Sequence, residues 1–207
     1  MEIYLIRHGE TVFNQEERHQ YSTTPLAEEG IEAAHKLAMR LQNIHFDALY
    51  TSPMKRAAQT AGVLGNAWKQ TVIEQDDLRE QKHPSILEGK SKKEPEVQQI
   101  RAEVLKHKDD STWHHSDEES YWDVRNRVLR LQKALVESHA NDVILAVSHG
   151  VCIKMFVAIV IFGESVTPEQ FLYIYHNTIT SNTGITHCSY NDKDGWRLVT
   201  LNDDAHL

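Results

Sequence analysis

Cysteine is scarce in this 207-residue chain: Cys152 and Cys188 are the only two, and they form no CxxC pair. That excludes a disulfide framework and a cysteine-based metal knuckle. Both lie in apolar segments and read as buried thiols, which sets the expectation of a cytoplasmic protein. Five prolines and nine glycines exclude collagenous or low-complexity organisation. Long hydrophobic runs are missing too. The longest, residues 151–162, is broken by Lys154 and falls short of the ~20 residues a spanning helix needs, so no membrane partner is expected. No secretory leader is read ahead of Ile3-Tyr4-Leu5-Ile6. A basic excess is absent: 22 Lys+Arg against 30 Asp+Glu give a formal charge of −8, although 13 histidines are present. General binding of nucleic acid or anionic membranes is thereby excluded, because both need surplus cations to displace counterions. A local basic pocket is not.

The hydrophobic pattern alternates between strand and helix. Residues 2–6 read as a buried strand, 27–42 as an amphipathic helix carrying Ile31, Ala34, Leu37, Ala38 and Leu41, and 48–51 as a second strand. Ser52-Pro53 reads as an N-cap followed by proline at the first helical position, opening a helix over 54–68; residues 71–74 are a third strand. Residues 76–119 form a polar excursion with a short helix at 95–106, expected to cap the strand ends. A helix with the stripe Tyr121, Val124, Val128, Leu131 and Leu135 follows, then a strand at 143–147 and the apolar helix. The tail, 172–201, alternates and turns at Asp192-Lys193-Asp194-Gly195, which predicts edge strands in a hairpin. The expected fold is α/β, a three-layer α/β/α sandwich: one domain over 1–207, a mostly parallel sheet, helices on both faces and an edge hairpin. The exposed edge leaves a homodimer open.

Chemistry concentrates at strand ends. Arg7-His8-Gly9-Glu10-Thr11 follows the first strand directly, and Ser148-His149-Gly150 sits between a buried strand and a helix. In a parallel sheet such positions face the ligand crevice. Arg56 stands in the first turn of a helix starting at the same edge. Each piece alone has a plain reading: a hydrogen-bonded structural histidine, a solvated helix arginine, a tight turn. Together, in this order, two arginines and two histidines near helix N-termini make an anion site.

On these residues the chain resembles the histidine phosphatase superfamily, which includes cofactor-dependent phosphoglycerate mutases and small phosphatases. The resemblance runs through Leu5-Ile6-Arg7-His8-Gly9-Glu10-Thr11 with Asn14, Thr24-Pro25-Leu26 with Gly30, Thr51-Ser52-Pro53 with Arg56 and Gln59-Thr60-Ala61, and Leu78-Arg79-Glu80. It continues through Ser148-His149-Gly150, Glu119-Ser120-Tyr121-Trp122-Asp123-Val124 with Arg127, and the closing Leu201-Asn202-Asp203-Asp204-Ala205-His206-Leu207. It implies that His8 is the nucleophile, forming a phosphohistidine, with its other ring nitrogen held by a tautomer-fixing hydrogen bond. Arg7, Arg56 and His149 would neutralise the transferring oxygens, and Asn14 and Gly150 would complete the substrate site. This cationic cluster takes the part Mg²⁺ plays elsewhere, so no metal and no cofactor are expected.

The resemblance also implies Glu80 as general acid, then base. The chain departs from many members at Gln81-Lys82-His83-Pro84-Ser85-Ile86-Leu87-Glu88-Gly89, which leaves Glu88 as the alternative proton donor. His107, His114 and His115 fit no tight metal-ligand spacing. Trp113, His114 and His115 are expected in a lid over the pocket, and Cys152 in the core. A small phosphate monoester is the expected partner and hydrolysis the expected reaction. Phosphoglycerate mutase-type transfer is the alternative within the family, and a non-catalytic phospho-ligand sensor the alternative outside catalysis.

Overall fold

Strand faces alternate along β1, β2 and β4 in the computed structural model, which describes residues 1–207. The strands are β1 (Glu2–Arg7), β2 (Ala48–Thr51), β3 (Val72–Glu74), β4 (Val143–Ser148), β5 (Ile185–Asn191) and β6 (Gly195–Asp203). They form one six-stranded sheet in the order β3-β2-β4-β1-β5-β6. β3, β2, β4 and β1 pair in parallel, β5 runs antiparallel to β1, and β6 is antiparallel to β5. The helices are α1 (Val12–Gln15), α2 (Glu28–Arg40), α3 (Lys55–Trp68), α4 (Pro95–Lys106), α5 (Tyr121–Ser138), α6 (Gly150–Phe162) and α7 (Pro168–Asn177).

A two-residue period gives the sheet two apolar faces. Ile3, Leu5, Ile144 and Ala146 meet Val128 and Leu131 of α5, Phe156 of α6 and Phe171 of α7. Ile6, Leu49, Leu145 and Val147 meet Leu37 of α2 and Ala57, Ala61 and Leu64 of α3. The expected three-layer α/β/α arrangement is observed. α6 buries eight of its thirteen residues, which explains why its sequence is apolar all round.

Three readings are corrected. Residues 172–177 belong to α7 rather than to strands: Thr167 caps the helix in a box with Gln170, Pro168 stands in its first turn, and Phe171 and Ile174 bury one helical stripe. Of the hairpin strands only β6 is an edge; β5 lies inside the sheet against β1. Ser52 is not the cap of α3, whose N-cap is Met54. The Ser52 hydroxyl accepts from Met54 N–H at 3.2 Å and lies 2.8 Å from His149 Nε2, so it serves the turn and the site together.

The polar excursion is fastened by one buried ion pair. Arg127 of α5, 1% exposed, meets Glu119 in a two-pronged contact, Nε–Oε1 2.9 Å and Nη2–Oε2 3.0 Å. Its Nη1 donates to the carbonyls of Asp77 (2.7 Å) and Arg79 (2.9 Å). Glu119 also accepts from Arg79 Nη2 and from the backbone N–H of Lys82, both at 3.0 Å. Residues 77–82, which carry Glu80, are thus tied to α5. Removing one partner of such a pair strands the other charge. We expect Arg127→Leu to cost about 3–5 kcal/mol in urea unfolding, and Arg127→Leu with Glu119→Leu to recover much of it. Burial pushes the Glu119 carboxyl up, but the bond and charge of Arg127 outweigh it and leave it below the ordinary range. Its contribution to stability is therefore present above the unfolded value of about 4.3 and is lost as pH falls through the folded one. Equal stability of the wild type and Arg127→Leu at pH 7 would contradict the anchor.

Candidate active site

β1 and β4 are neighbours, yet the chain leaves β1 for α2 on one face and β4 for α6 on the other. A crevice opens where adjacent strands part in this way, at their carboxyl ends. Arg7 lies opposite Ser148, and His8 N–H donates to Ser148 carbonyl at 2.9 Å. The loop after β1 runs backbone against backbone over the start of α2. A Cβ on Gly9 would sit 2.5 Å from the Gly30 carbonyl oxygen, and one on Gly30 would strike Glu10. Glycine is required at both positions.

His8 is 2% exposed and held by both ring nitrogens. Nδ1 is 2.7 Å from the Gly9 carbonyl, which can only accept, so Nδ1 carries the proton and Nε2 presents its lone pair. Arg56 Nε–H donates to that lone pair at 3.1 Å. Burial, then the charges of Arg56 and Arg7, hold His8 well below the usual imidazole range. His149, fully buried, lies with its ring centroid 5.0 Å from that of His8. Burial, then Arg56 and His8, push it down as well. A neutral His149 ring offers a hydrogen bond rather than a charge. With the Ser52 hydroxyl free to donate to Nε2, His149 Nδ1–H becomes that donor. His149 Nδ1 and Arg7 Nε are both buried without a partner, an arrangement that costs free energy until acceptor oxygens arrive. Arg56 is lowered to about 10, chiefly by burial, and so stays charged at neutral pH.

The Glu80 carboxylate sits on the N-terminus of α6. Its Oε1 accepts from Val151 N–H at 3.0 Å and Cys152 N–H at 3.4 Å, and Oε2 from Val151 at 3.3 Å. A Cβ built on Gly150 would lie 3.8 Å from Glu80 Oε2 and 3.9 Å from Arg7 Nε, so Gly150 forms the floor between acid and arginine. Glu88 lies on the exposed segment beside Tyr21, whose hydroxyl donates to its carbonyl at 3.4 Å. Asn14 Oδ1 accepts from the Thr11 backbone N–H at 3.2 Å and the Thr11 hydroxyl at 3.0 Å, and Asn182 Nδ2, which also donates to the His8 carbonyl, lies 3.4 Å from it, so Asn14 stands beside the loop after β1. His8, Arg7, Arg56, His149, Glu80, Asn14 and Gly150 all converge. Cys152 lies in the core.

A further loop shapes the site that sequence reading passed over. Asn182 Nδ2 donates to His8 carbonyl at 2.8 Å, and Thr180 carbonyl accepts from Arg7 Nη1. Thr183, buried with φ +60, donates its N–H to Arg7 carbonyl at 2.9 Å. The C-terminal tail braces this loop through His206 Nε2 with Thr183 Oγ1 (3.0 Å) and Asn202 Nδ2 with Ser181 Oγ (3.1 Å). Polar tails carry no periodic signal, so only the resemblance of the closing residues pointed here.

A cavity of about 410 Å³ starts at Gln81, next to Glu80, and none of the seven converging residues lines it. Its walls come from the 76–119 excursion, including Leu87, Val104 and Leu105, and from α7 through Phe171 and Tyr175. The lid expectation is partly corrected: Trp113 lines the cavity with His107 stacked on it at 4.1 Å, whereas His114 binds Asp123 at 2.8 Å, and His115 is not in the lining.

Residues 3–204 match the model of the histidine phosphatase superfamily (branch 1). A Yersinia pestis relative named probable phosphoglycerate mutase GpmB is 27% identical over 214 residues, spanning 100% of this chain and 95% of that protein. A mutant phosphoserine phosphatase from Entamoeba histolytica, solved in complex with phosphoserine, superposes with TM-score 0.82 at 27% identity, over 100% of this chain and 98% of the other. The α-ribazole phosphatase of Shigella flexneri gives 0.80 at 26% identity, over 99% and 97%. With strand-end histidines and arginines gathered at the sheet's switch point and the family match spanning residues 3–204, the chain belongs to the histidine phosphatase superfamily.

Proposed function

We propose that the chain is a single-domain phosphatase that hydrolyses a small phosphate monoester through a phosphohistidine on His8, with Glu80 as general acid and base and residues 76–119 as the cap. One observation carries this reading: a neutral His8 whose Nε2 lone pair faces a crevice edged by two guanidinium groups and two unpartnered buried nitrogens. A phosphoryl group supplies the acceptors these nitrogens lack. Its arrival draws the Arg56 Nε–H from Nε2 onto a phosphoryl oxygen, freeing the lone pair to attack phosphorus. Glu80 takes up one proton before cleavage, from the monoanionic ester or from water; the P–O ester bond then breaks as the N–P bond forms, and Glu80 gives that proton to the leaving oxygen. Water then attacks phosphorus, Glu80 takes the water proton, and the N–P bond electrons return to Nε2. Arg7, Arg56, the His149 Nδ1–H and the Asn14 amide hold the phosphoryl oxygens throughout.

The phosphoserine and α-ribazole phosphatases among the structural relatives support hydrolysis. The two buried free thiols fit a cytoplasmic setting, and no helix is long and apolar enough to cross a membrane.

His8→Ala should abolish p-nitrophenyl phosphate hydrolysis; retained turnover would move the nucleophile elsewhere. Glu80→Gln should cut the first phosphoryl transfer from an alkyl phosphate by ~10²–10⁴ in single turnover while leaving a burst of p-nitrophenol from p-nitrophenyl phosphate, whose leaving group needs no proton, and steady-state turnover of both should fall because water activation is lost. Equal losses in the first transfer would favour another acid. Isomerisation of 3-phosphoglycerate that depends on added 2,3-bisphosphoglycerate would instead identify a mutase. Because His8 is held neutral, kcat/KM should show no histidine loss as pH falls through about 6.5, with ring ¹⁵N shifts reporting an Nδ1–H tautomer at pH 6. Stability should decline over the same range, since the unfolded chain takes up protons there and the native site resists them.

A further inference from the structure

Lys154 is the only charged residue among the thirteen of α6, and no carboxylate pairs with it. Its half-buried ammonium goes to backbone instead. Nζ donates to the carbonyls of Tyr175 and Thr178, each at 2.8 Å, and lies 4.9 Å from the centroid of the Tyr175 ring. These carbonyls stand at the C-terminal end of α7, where a helix leaves its last acceptors without intrahelical donors and favours a positive charge. A lysine in an apolar helix costs free energy unless its ammonium is bonded in this way.

The segment that Lys154 holds runs directly into the phosphoryl site. Thr178 is the C-cap of α7, and two residues on, Thr180 is buried with its carbonyl accepting from Arg7 Nη1. That bond is the only one the Arg7 side chain makes. The Thr180 hydroxyl lies 3.5 Å from the point a Cβ on Gly150 would take, the same point that Arg7 and Glu80 approach. Gly150 and Lys154 are four residues apart and share a face of α6, so two successive turns meet residues 178–180. Burial, then the charge of Arg7, lower Lys154 below the usual lysine range and Glu80 raises it, which places the ammonium in the field of both. A long guanidinium stem with a single tether is costly to order, and it is no better placed than the carbonyl that tethers it.

We propose that Lys154 is a positioning residue for the phosphoryl site: by fastening Tyr175 and Thr178 to α6 it fixes the Thr180 carbonyl, and through that carbonyl the Arg7 guanidinium. The same helix holds Glu80 at its N-terminus, so one element sets the distance between acid and arginine. The kinetic consequence rests on the phosphatase reading, whereas the clamp itself acts in the free protein.

Lys154→Met keeps the stem and removes the ammonium. It should lower kcat/KM for p-nitrophenyl phosphate about ten-fold and weaken binding of inorganic phosphate to a similar extent. Lys154→Arg, which retains charge and donors, should recover most of both. Asn177→Ala breaks a 2.8 Å bond to the Tyr173 carbonyl inside the same end of α7 without touching α6, and should change neither; a matching loss there would overturn the proposal. In an Arg7→Lys background, Lys154→Met should cost less than about two-fold more, and an undiminished second loss would show that it does not act through Arg7. Hydrogen exchange supplies a readout without turnover. The Arg7 Nε–H should exchange about ten-fold faster in Lys154→Met while the β1 amides keep their rates. Unchanged Nε–H exchange, or acceleration of both together, would overturn the clamp. Selective acceleration in a protein whose wild type hydrolyses no phosphate ester would support the clamp and overturn only the phosphatase reading.

Discussion

The Glu119 carboxylate is the fixed point of the molecule's working end. It takes Arg127 from α5, Arg79 from the segment leaving β3 and the Lys82 backbone N–H at once. A buried charge pair contributes little net stability compared with an apolar alternative, and its value here is geometric. It decides where residues 77–82 run, hence that Glu80 reaches the α6 N-terminus and that the excursion leaves the sheet at the height of the crevice. The helix then holds the carboxylate with backbone N–H groups that need no side-chain ordering. Position is transmitted from α5 to Glu80 through hydrogen bonds to backbone, the least adjustable partners available.

The second organising constraint is electrostatic. Two guanidinium groups stand beside two imidazoles in a space where water is nearly excluded, and the imidazoles respond by remaining neutral. Were they charged, four positive groups would share one crevice inside a chain whose formal charge is −8. Neutral rings let one histidine act through a lone pair and the other through an N–H, two opposite uses of the same side chain set by their partners. Gly9 carbonyl selects the first, and the Ser52 hydroxyl permits the second.

Most of this architecture was legible in the residues because β1, β2 and β4 are buried on both faces and so read as short apolar runs ending at Arg7, Thr51 and Ser148. The strand ends carried the polar residues with them. What stayed hidden depends on contacts between distant segments. α7 was obscured because Leu172 to Tyr175 also fits an alternating pattern; its capping box at Thr167 and Gln170 was the available signal. The neutrality of His149 follows from enclosure by Arg56 and His8, which no local window contains. The hold of Lys154 on Tyr175 and Thr178 depends on α7 packing against α6, where the sequence shows only a lone charge in an apolar run.

In the mechanism proposed for His8, the bond from Arg56 to its Nε2 makes the resting nucleophile a guarded one. An electrophile without acceptor oxygens, such as a sulfonium ion or an alkyl halide, offers Arg56 nothing in exchange and meets a nitrogen whose electron pair is already engaged. Chemical selectivity can thus be exercised before size or shape is consulted, by requiring the incoming group to bring its own means of unlocking the site.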